Sequence, residues 1–510
     1  MQTARRQPVS RPPVRFRSYA LVFGLIASFL ILAHGPLLRL PFYWDEIGQF
    51  VPASLDLFHK GAWIPFSTLP NVHPPGVMAY LALFWTVFGY SVTATRIAML
   101  LIGAGALLVT FLLGIELSRG ATGAPAFAAV ALLAISPLFY AQSMMAQLDM
   151  PAMCLSCLAL LLFLQNRVRA SAIACAALAI VKETGLVVPA VFAFWVILEG
   201  RTREERARAL WFLLPLPGLA VWLLTLHRAT GHWFGNAAFA AYNLAGPLHP
   251  IPFVLALLRR IYFLFIATGH IVGAVALIWA WRRMPILRSR PWHIAGSFVL
   301  ANVLVVSALG GAVLERYTLP VLPVIYIAFA TSLQALMLRT RRLALAALTG
   351  CLAVANFVNP LYPFPFENNL AFTDFVVLEQ EAASAVEQRA VQRTGAIATA
   401  FPMADALRNP EFGFVRAPLQ VIDMDGFSAA EVEKLKTLSP AMVVVCHREW
   451  DPLHLLDKPA VNGFLSRYYG YKPELKADAI AAALSMRVGR RWRRRGMTME
   501  LLERYPAPRS

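Results

Sequence analysis

Residues 92–117 read VTATRIAMLLIGAGALLVTFLLGIEL. The charged side chains in this stretch, Arg96 and Glu116, lie close to its ends, and the apolar run between them is long enough for a helix that crosses a bilayer. Further stretches share this apolar character: 19–38, 123–140, 151–164, 170–180, 186–198, 210–226, 261–281, 294–314, 318–338 and 343–358. The sequence therefore predicts an all-α polytopic membrane protein with about 11 transmembrane helices.

The composition excludes a soluble multidomain enzyme. The chain has 510 residues, of which 58% are hydrophobic and only 15% are charged. Charged residues make up about 25% of ordinary globular domains. Too few charges are therefore present to cover several water-facing surfaces.

The distribution of positive charge predicts the orientation in the membrane. The chain has 46 Lys and Arg against 28 Asp and Glu, which gives a net charge of +18. Cytoplasmic loops are enriched in Lys and Arg. Arginines cluster here in the N-terminus and in alternate loops, near 119, 167–169, 201–208, 282–290 and 339–342. We therefore interpret the basic excess as a topology signal and not as nucleic-acid binding, and the first span as an uncleaved anchor.

An odd number of spans with a cytoplasmic N-terminus divides the chain into three parts. Residues 1–18 form a basic cytoplasmic N-terminus, and residues 19–360 form the membrane module, whose first outer loop covers 41–91. The apolar segment 76–90 predicts an interfacial helix, because another crossing would invert every later loop. Residues 361–510 are then extracytoplasmic, and periplasmic if the membrane is the inner membrane of a Gram-negative bacterium.

Residues 361–510 predict a small α/β domain, because strand patterns alternate there with helical patterns. The predicted elements are a helix at 372–392, strands at 395–400, 419–423 and 441–446, and a helix at 428–438. Ser428, followed three residues later by Glu431, is typical of a helix start.

Two cysteines form a CxxC pattern inside an apolar span. No second pair completes a tetrahedral zinc site, so we expect Cys154 and Cys157 to be buried packing residues.

A basic segment lies near the C-terminus. Arg487 and Arg490 to Arg495, interrupted by Trp492, predict a solvated loop, with contact to anionic lipid as the alternative.

Ionisable and polar residues collect at the outer ends of the spans, where their desolvation cost makes a functional role the default hypothesis. The candidates are Asp45, Glu46, His73, Arg96, Gln142, Asp149, Lys182, Glu183, Arg316 and Tyr317. Structural alternatives remain open for several of them. Arg96 can extend its side chain to the interface, Lys182 and Glu183 can neutralise each other, and Asp149 can favour a helix start through the helix dipole.

In type and order, these residues resemble the membrane glycosyltransferases of the GT-C superfamily, specifically the branch of protein O-mannosyltransferases and lipid A aminoarabinose transferases. The matching motifs are the acidic pair Asp45-Glu46, His73-Pro74-Pro75, Arg96, the stretch from Pro137 through Gln142 to Asp149, the turn Lys182 to Gly185, and Arg316-Tyr317 with Pro320 and Pro323. The resemblance covers about residues 19–340 and leaves the C-terminal domain outside.

The resemblance implies an inverting transfer of a sugar from a polyprenyl-phosphate donor to a lipid, glycan or protein acceptor at the outer face of the cytoplasmic membrane. Asp45 would be the general base. Arg96, Lys182 and Arg316 would stabilise the leaving phosphate, with Arg316 best suited because a guanidinium can bind phosphate bidentately. Some relatives use a divalent metal ion, for which Glu46, His73 and Asp149 are the candidate ligands.

Two other classes of function stay open at this point. A transporter or flippase of lipid-linked sugars would also place charged residues in its spans, although it should show internal repeats, which the sequence lacks. A membrane scaffold that displays its C-terminal domain would tolerate the loss of Asp45.

Overall fold

The computed structural model describes residues 16–118, 123–241, 243, 249–309, 311–391, 395–447 and 450–505. Most of the predicted basic N-terminus, residues 1–15, lies outside this part, as does Arg119. The described residues are mostly helical, and their strands lie in the C-terminal region.

Apolar helices build the membrane region. In chain order they are α1 (Phe16–Ala33), α2 (Val51–Lys60), α3 (Gly76–Phe88), α4 (Val92–Leu117), α5 (Ala124–Ile135), α6 (Pro137–Gln142), α7 (Asp149–Leu164), α8 (Val168–Ala179), α9 (Val187–Glu199), α10 (Arg203–Ala207), α11 (Pro215–Thr230), α12 (Ala237–Ala240), α13 (Pro250–Phe265), α14 (His270–Trp281), α15 (Arg290–Ala308), α16 (Leu322–Leu333) and α17 (Leu338–Ala355). The helix α4 has the predicted bounds, and α3 coincides with the predicted interfacial helix.

Helix length gives a lower number of spans than the apolar pattern. Among the described residues, four helical segments are long and apolar enough to cross a membrane by themselves: Val92–Leu117, Arg203–Thr230, Arg290–Ala308 and Glu315–Leu333. The bent pair of α13 and α14 adds a fifth, and other apolar helices are shorter. The protein is thus a helical membrane protein, and the figure of about 11 spans stays a prediction.

Two of the predicted spans are wrong as continuous helices. The stretch 123–140 breaks at Ser136, because the following Pro137 disfavours a helical backbone at the residue before it. The stretch 261–281 belongs to α13 and α14, which meet at an angle of 43°. Thr268 and Gly269 have φ values of +50° and +85° at this bend, and the apolar pattern carries no signal of such a turn.

Gly269→Ala tests the bend. A left-handed backbone disfavours any side chain, and a Cβ at this position would overlap the Cβ of Cys351 on α17. We expect a loss of more than about 1 kcal/mol in stability, measured as a lower melting temperature in detergent. Gly231→Ala is the matched control, because Gly231 has φ of +76° with open space around it. Equal melting temperatures for the two variants would contradict this expectation, because they would show that a Cβ at position 269 is tolerated beside Cys351.

The C-terminal region contains a five-stranded mixed sheet with the order β2-β1-β3-β5-β4. Its elements are α18 (Ala371–Ala390), β1 (Ile397–Ala400), α19 (Met403–Arg408), β2 (Val421–Met424), α20 (Ala429–Leu438), β3 (Met442–Cys446), α21 (Pro459–Tyr469), α22 (Ala477–Ala483), β4 (Met486–Arg494) and β5 (Met497–Arg504). The strands β1, β2 and β3 are parallel, and β5 is antiparallel to β3 and β4. The three predicted strands are present, and Ser428 caps α20 by accepting a hydrogen bond from the Glu431 amide.

The prediction of a loop at Arg487 and Arg490–Arg495 is wrong, because most of this segment forms β4. Consecutive arginines hide the alternation of a strand, but Trp492 is buried and Arg491 forms an ion pair of 2.8 Å with Glu500 on β5. Cross-strand pairing of opposite charges stabilises such a strand.

The sheet joins the membrane region through one continuous apolar core. Phe372 and Phe375 of α18 pack on Tyr43 of the loop that follows α1, with ring centroids 5.8 and 6.1 Å from that of Tyr43. The buried Trp492 and Met499 of the sheet belong to the same core. The loop 41–91 is therefore held between the membrane helices and the C-terminal sheet.

Candidate functional site

Asp45 begins a short helical segment, Glu46–Phe50, that leads into α2. The preceding Trp44 has φ of +49°, a left-handed conformation that costs a non-glycine residue about 1 kcal/mol. Its ring packs against Phe401 of the C-terminal domain with a centroid distance of 5.2 Å. Local strain held by packing is common at functional sites.

Glu46 and Arg96 form a fully buried ion pair of 2.5 Å. Glu46 also accepts hydrogen bonds from the Tyr43 and Ala146 amides, at 2.9 and 2.6 Å. Arg96 donates to the Pro41 carbonyl at 2.9 Å. The sequence assigned both residues to donor or acceptor binding, but their contacts fix the backbone on both sides of Asp45.

Arg316 is the centre of the polar cluster and is only 4% exposed. Its Nη2 donates to Asp45. Its Nη1 donates to the Gln147 side-chain carbonyl at 2.6 Å and to Glu367 at 3.0 Å. Its Nε lies 3.3 Å from Asp149, without the alignment of a hydrogen bond. Three carboxylates therefore surround one guanidinium, and a second cation offsets part of their remaining negative charge.

That second cation is Lys182, whose ammonium forms an ion pair with Asp149. The same ammonium lies 4.5 Å from the ring centroid of Tyr317. Asp149 thus connects the Arg316 cluster to Lys182, and the aromatic ring helps to hold the ammonium by a cation–π interaction. Asp149 also begins α7, as the structural alternative proposed, and this position does not compete with its ion pairs.

His73 and Glu183 form a separate pair, with His73 Nδ1 3.0 Å from Glu183 Oε2. The pKa of Glu183 lies below its ordinary value: burial opposes ionisation, but His73 and Lys182 favour the carboxylate more strongly. The structural alternative for Lys182 and Glu183 was a pair with each other, but the ion pair of Lys182 is with Asp149 and that of Glu183 is with His73.

Sequence reasoning missed Glu367, which follows α17 in the turn Phe366–Asn368. It is 2% exposed and contacts Arg316. The candidate Gln142 donates a long hydrogen bond of 3.4 Å to the backbone carbonyl of Glu367. Its contact is therefore with the backbone that carries Glu367. A signal existed, because Glu367 is the only charged residue between Arg342 and Asp374. Burial raises the pKa of Glu367 to about 7, against the opposing effect of Arg316.

This raised pKa predicts a pH-dependent stability. The folded protein holds the Glu367 proton up to a higher pH than the unfolded chain, so stability falls as pH rises from about 4.5 to about 7. The shift corresponds to about 3 kcal/mol. Glu367→Gln stays neutral, so its melting temperature should rise relative to the parent between pH 5 and 7.5. If the difference in melting temperature between Glu367→Gln and the parent stayed constant from pH 5 to 7.5, the raised pKa of Glu367 would be contradicted.

A cavity of about 1350 Å³ opens beside the Arg316 cluster. The predicted residues in its lining are Asp45, His73, Asp149, Lys182, Glu183, Arg316 and Tyr317. Its wall also includes Asp405, Arg408 and Asp423 from the C-terminal domain. Glu46, Arg96 and Gln142 are not among the described lining residues and lie buried behind the wall. The cavity thus brings seven of the ten candidates to one surface.

The candidate metal ligands do not converge. Glu46 pairs with Arg96, His73 with Glu183, and Asp149 with Lys182 and Arg316. Within the described ranges, no three His, Cys, Asp or Glu side chains are grouped to hold a metal ion. The carboxylates of this site are arranged around cations supplied by the chain itself.

Two solved structures of ArnT from Cupriavidus metallidurans are similar to nearly the whole chain. The structure bound to undecaprenyl phosphate has a TM-score of 0.54 and 16% sequence identity, and covers 96% of this chain and 98% of that one. The apo structure has a TM-score of 0.56 and 15% identity, over 95% of this chain and 98% of that one. A scan of protein-family models and a search of curated proteins give no match. The resemblance to the GT-C glycosyltransferases is thus confirmed at the level of the fold: the chain has the fold of ArnT.

Proposed function

We propose that the chain is an inverting glycosyltransferase that moves a sugar from a polyprenyl-phosphate donor to an acceptor at the outer face of the cytoplasmic membrane. One observation carries the proposal: Arg316 joins Asp45 and Asp149 in the wall of a large cavity, with Lys182 alongside. This arrangement supplies a base and two cations to one space. The ArnT structure with undecaprenyl phosphate has the same fold, which supports a lipid phosphate as the ligand.

In the proposed reaction, the donor phosphate binds Arg316 and Lys182. An acceptor oxygen attacks the anomeric carbon, the bond from that carbon to the phosphate oxygen breaks, and polyprenyl phosphate leaves with the electron pair. The acceptor proton moves to Asp45. Arg316 and Lys182 stabilise the negative charge that grows on the leaving phosphate. A single displacement of this kind inverts the anomeric centre.

The Arg316–Asp45 contact gives the base a regulated state. While Nη2 of Arg316 donates to Asp45, the carboxylate is engaged in a charge-assisted hydrogen bond. A donor phosphate competes for the same guanidinium. Binding of the donor then releases Asp45 to accept a proton, so that the base becomes active when the sugar is in place.

The acceptor enters from the side of the C-terminal domain in this proposal. Phe401, Asp405 and Asp423 form that wall of the cavity. The carboxylates of Asp405 and Asp423 can accept hydrogen bonds from the hydroxyl groups of an acceptor. A hydroxyl of a lipid, a glycan or a protein satisfies this chemistry.

Donor recognition has a direct test. Undecaprenyl phosphate should raise the melting temperature of the purified protein in detergent, because a ligand that binds only the folded state stabilises it. Undecaprenol, which lacks the phosphate, is the matched control and should have little effect. Equal effects of the two lipids would contradict the phosphate site.

The proposed topology places the N-terminus in the cytoplasm and the residues after about 360 outside, in line with the alternation of arginine-rich loops. Reporter fusions at Gly200 and Ala404 test it. We expect a cytoplasmic reporter to be active at Gly200 and an exported reporter at Ala404. Both fusions on the same side would contradict the topology.

A further inference from the structure

The hairpin formed by β4 and β5 ends beside the exit of α17. Nη1 of Arg495, in the turn of the hairpin, lies 3.3 Å from the Phe357 carbonyl just after α17. Trp450 donates to the Pro360 carbonyl at 2.7 Å and lies against Gly496 of the same turn. These contacts fix the tip of the hairpin at the level where the chain leaves an apolar helix.

The protein surface next to this tip is apolar. Val354, Phe357, Val358 and Leu361 are each between 57% and 62% exposed. A run of large exposed side chains at the end of an apolar helix is typical of a lipid-facing surface. Tyr362, with its ring 6.4 Å from that of Tyr262, adds aromatic groups of the kind enriched at the membrane interface.

The charges on the hairpin are not balanced. Between residues 487 and 495 it carries six arginines: Arg487, Arg490, Arg491, Arg493, Arg494 and Arg495. Four of them have carboxylate partners: Arg487 pairs with Glu503, Arg491 with Glu500 and Asp478, Arg494 with Asp374 and Glu381, and Arg495 with Asp374. Within the described part of the chain, Arg490 and Arg493 have none, and both are exposed. The strand that carries them is at the edge of the sheet, so no neighbouring strand covers them.

We propose that the exposed edge of the hairpin, where Arg490 and Arg493 lie on opposite faces of β4, binds the headgroups of anionic phospholipids and holds the C-terminal domain against the bilayer. Guanidinium groups bind phosphate by paired hydrogen bonds. Exposed apolar residues directly beside them favour a lipid surface over a soluble acidic partner, whose binding would not need lipid-facing neighbours. The inference does not depend on the proposed sugar transfer.

Photolabelling in proteoliposomes tests the inference at the site itself. The full chain is reconstituted with phosphatidylcholine and traces of a photoreactive phosphatidylglycerol or phosphatidylcholine. After illumination, labelling of residues 486–505 and of residues 343–361 is quantified by mass spectrometry of digests. An arginine near an anionic surface contributes about fivefold in affinity. We therefore expect at least about fivefold more labelling of 486–505 by phosphatidylglycerol than by phosphatidylcholine.

Three double variants sharpen the test. R490Q/R493Q should lower the labelling of 486–505 by phosphatidylglycerol to the level of phosphatidylcholine, and R490K/R493K should keep most of it. K434Q/K436Q removes the same charge from exposed residues of α20, which packs against the face of the sheet away from α18, and should match the parent. Labelling of residues 343–361 by the photoreactive lipids is the control that each variant is inserted in the bilayer. Equal labelling by the two lipids in the parent, or an unchanged preference in R490Q/R493Q, would overturn the proposal.

Discussion

Asp45→Asn should leave a folded, inserted protein with little or no sugar transfer. Asn keeps nearly the same shape and still accepts the hydrogen bond from Arg316, but it cannot take the acceptor proton near neutral pH. A general base contributes about 10²- to 10⁴-fold to the rate, or about 3 to 5 kcal/mol of barrier. Turnover measured with saturating donor should fall by this factor, while donor affinity should change little or rise, because Asn competes less for Arg316.

The control for this variant is Asp425→Asn, which makes the same change at an exposed carboxylate paired with Lys472 in the C-terminal domain. It should keep parental transfer. Equal melting temperatures of parent, Asp45→Asn and Asp425→Asn would exclude misfolding. If Asp45→Asn transferred sugar at the parental rate, Asp45 would not be the base.

Arg316→Lys should weaken donor binding by about 10- to 100-fold, because hydrogen bonds to charged groups contribute about 1.5 to 3 kcal/mol. A lysine keeps the positive charge but loses the planar fork, so it cannot meet Asp45, Asp149 and Glu367 at once. Donor affinity, measured by the shift in melting temperature with undecaprenyl phosphate, should fall although the variant still folds.

Arg290→Lys is the matched control, because Arg290 also forms a bidentate pair, with Glu199 at 2.5 and 2.6 Å. This pair does not line the cavity described above, so the variant should bind donor like the parent. Unchanged donor affinity and turnover in Arg316→Lys would remove Arg316 from the site.

Local patterns in the sequence predicted local structure well. The bounds of α4 follow from the length of one apolar run, and the start of α20 follows from Ser428 and Glu431. Charge patterns were less informative, because six arginines in the segment 487–495 hide the alternation of β4. The bend at Gly269 was missed because a glycine inside an apolar run is compatible with a continuous helix.

The site itself depends on contacts between distant parts of the chain. Asp45 and Arg316 are 271 residues apart, so the sequence identified both as candidates but could not pair them. It also could not distinguish Asp45, which faces the cavity, from the adjacent Glu46, which is buried with Arg96. The side chains of two adjacent residues can thus point to opposite sides of the cavity wall. Glu367 was missed because its importance comes from Arg316, and only the fold brings the two together.

The most direct test is the fate of a labelled sugar. Purified protein in proteoliposomes receives undecaprenyl-phosphate sugars labelled in the sugar, together with an acceptor mixture from a cell envelope, and the label is followed by chromatography. The proposed function predicts that the label leaves the donor lipid, appears on an acceptor with inverted anomeric configuration, and stays on the donor with Asp45→Asn. A sugar that remains bonded to its lipid with the parent protein, whether or not that lipid crosses the membrane, would contradict sugar transfer and favour a transporter.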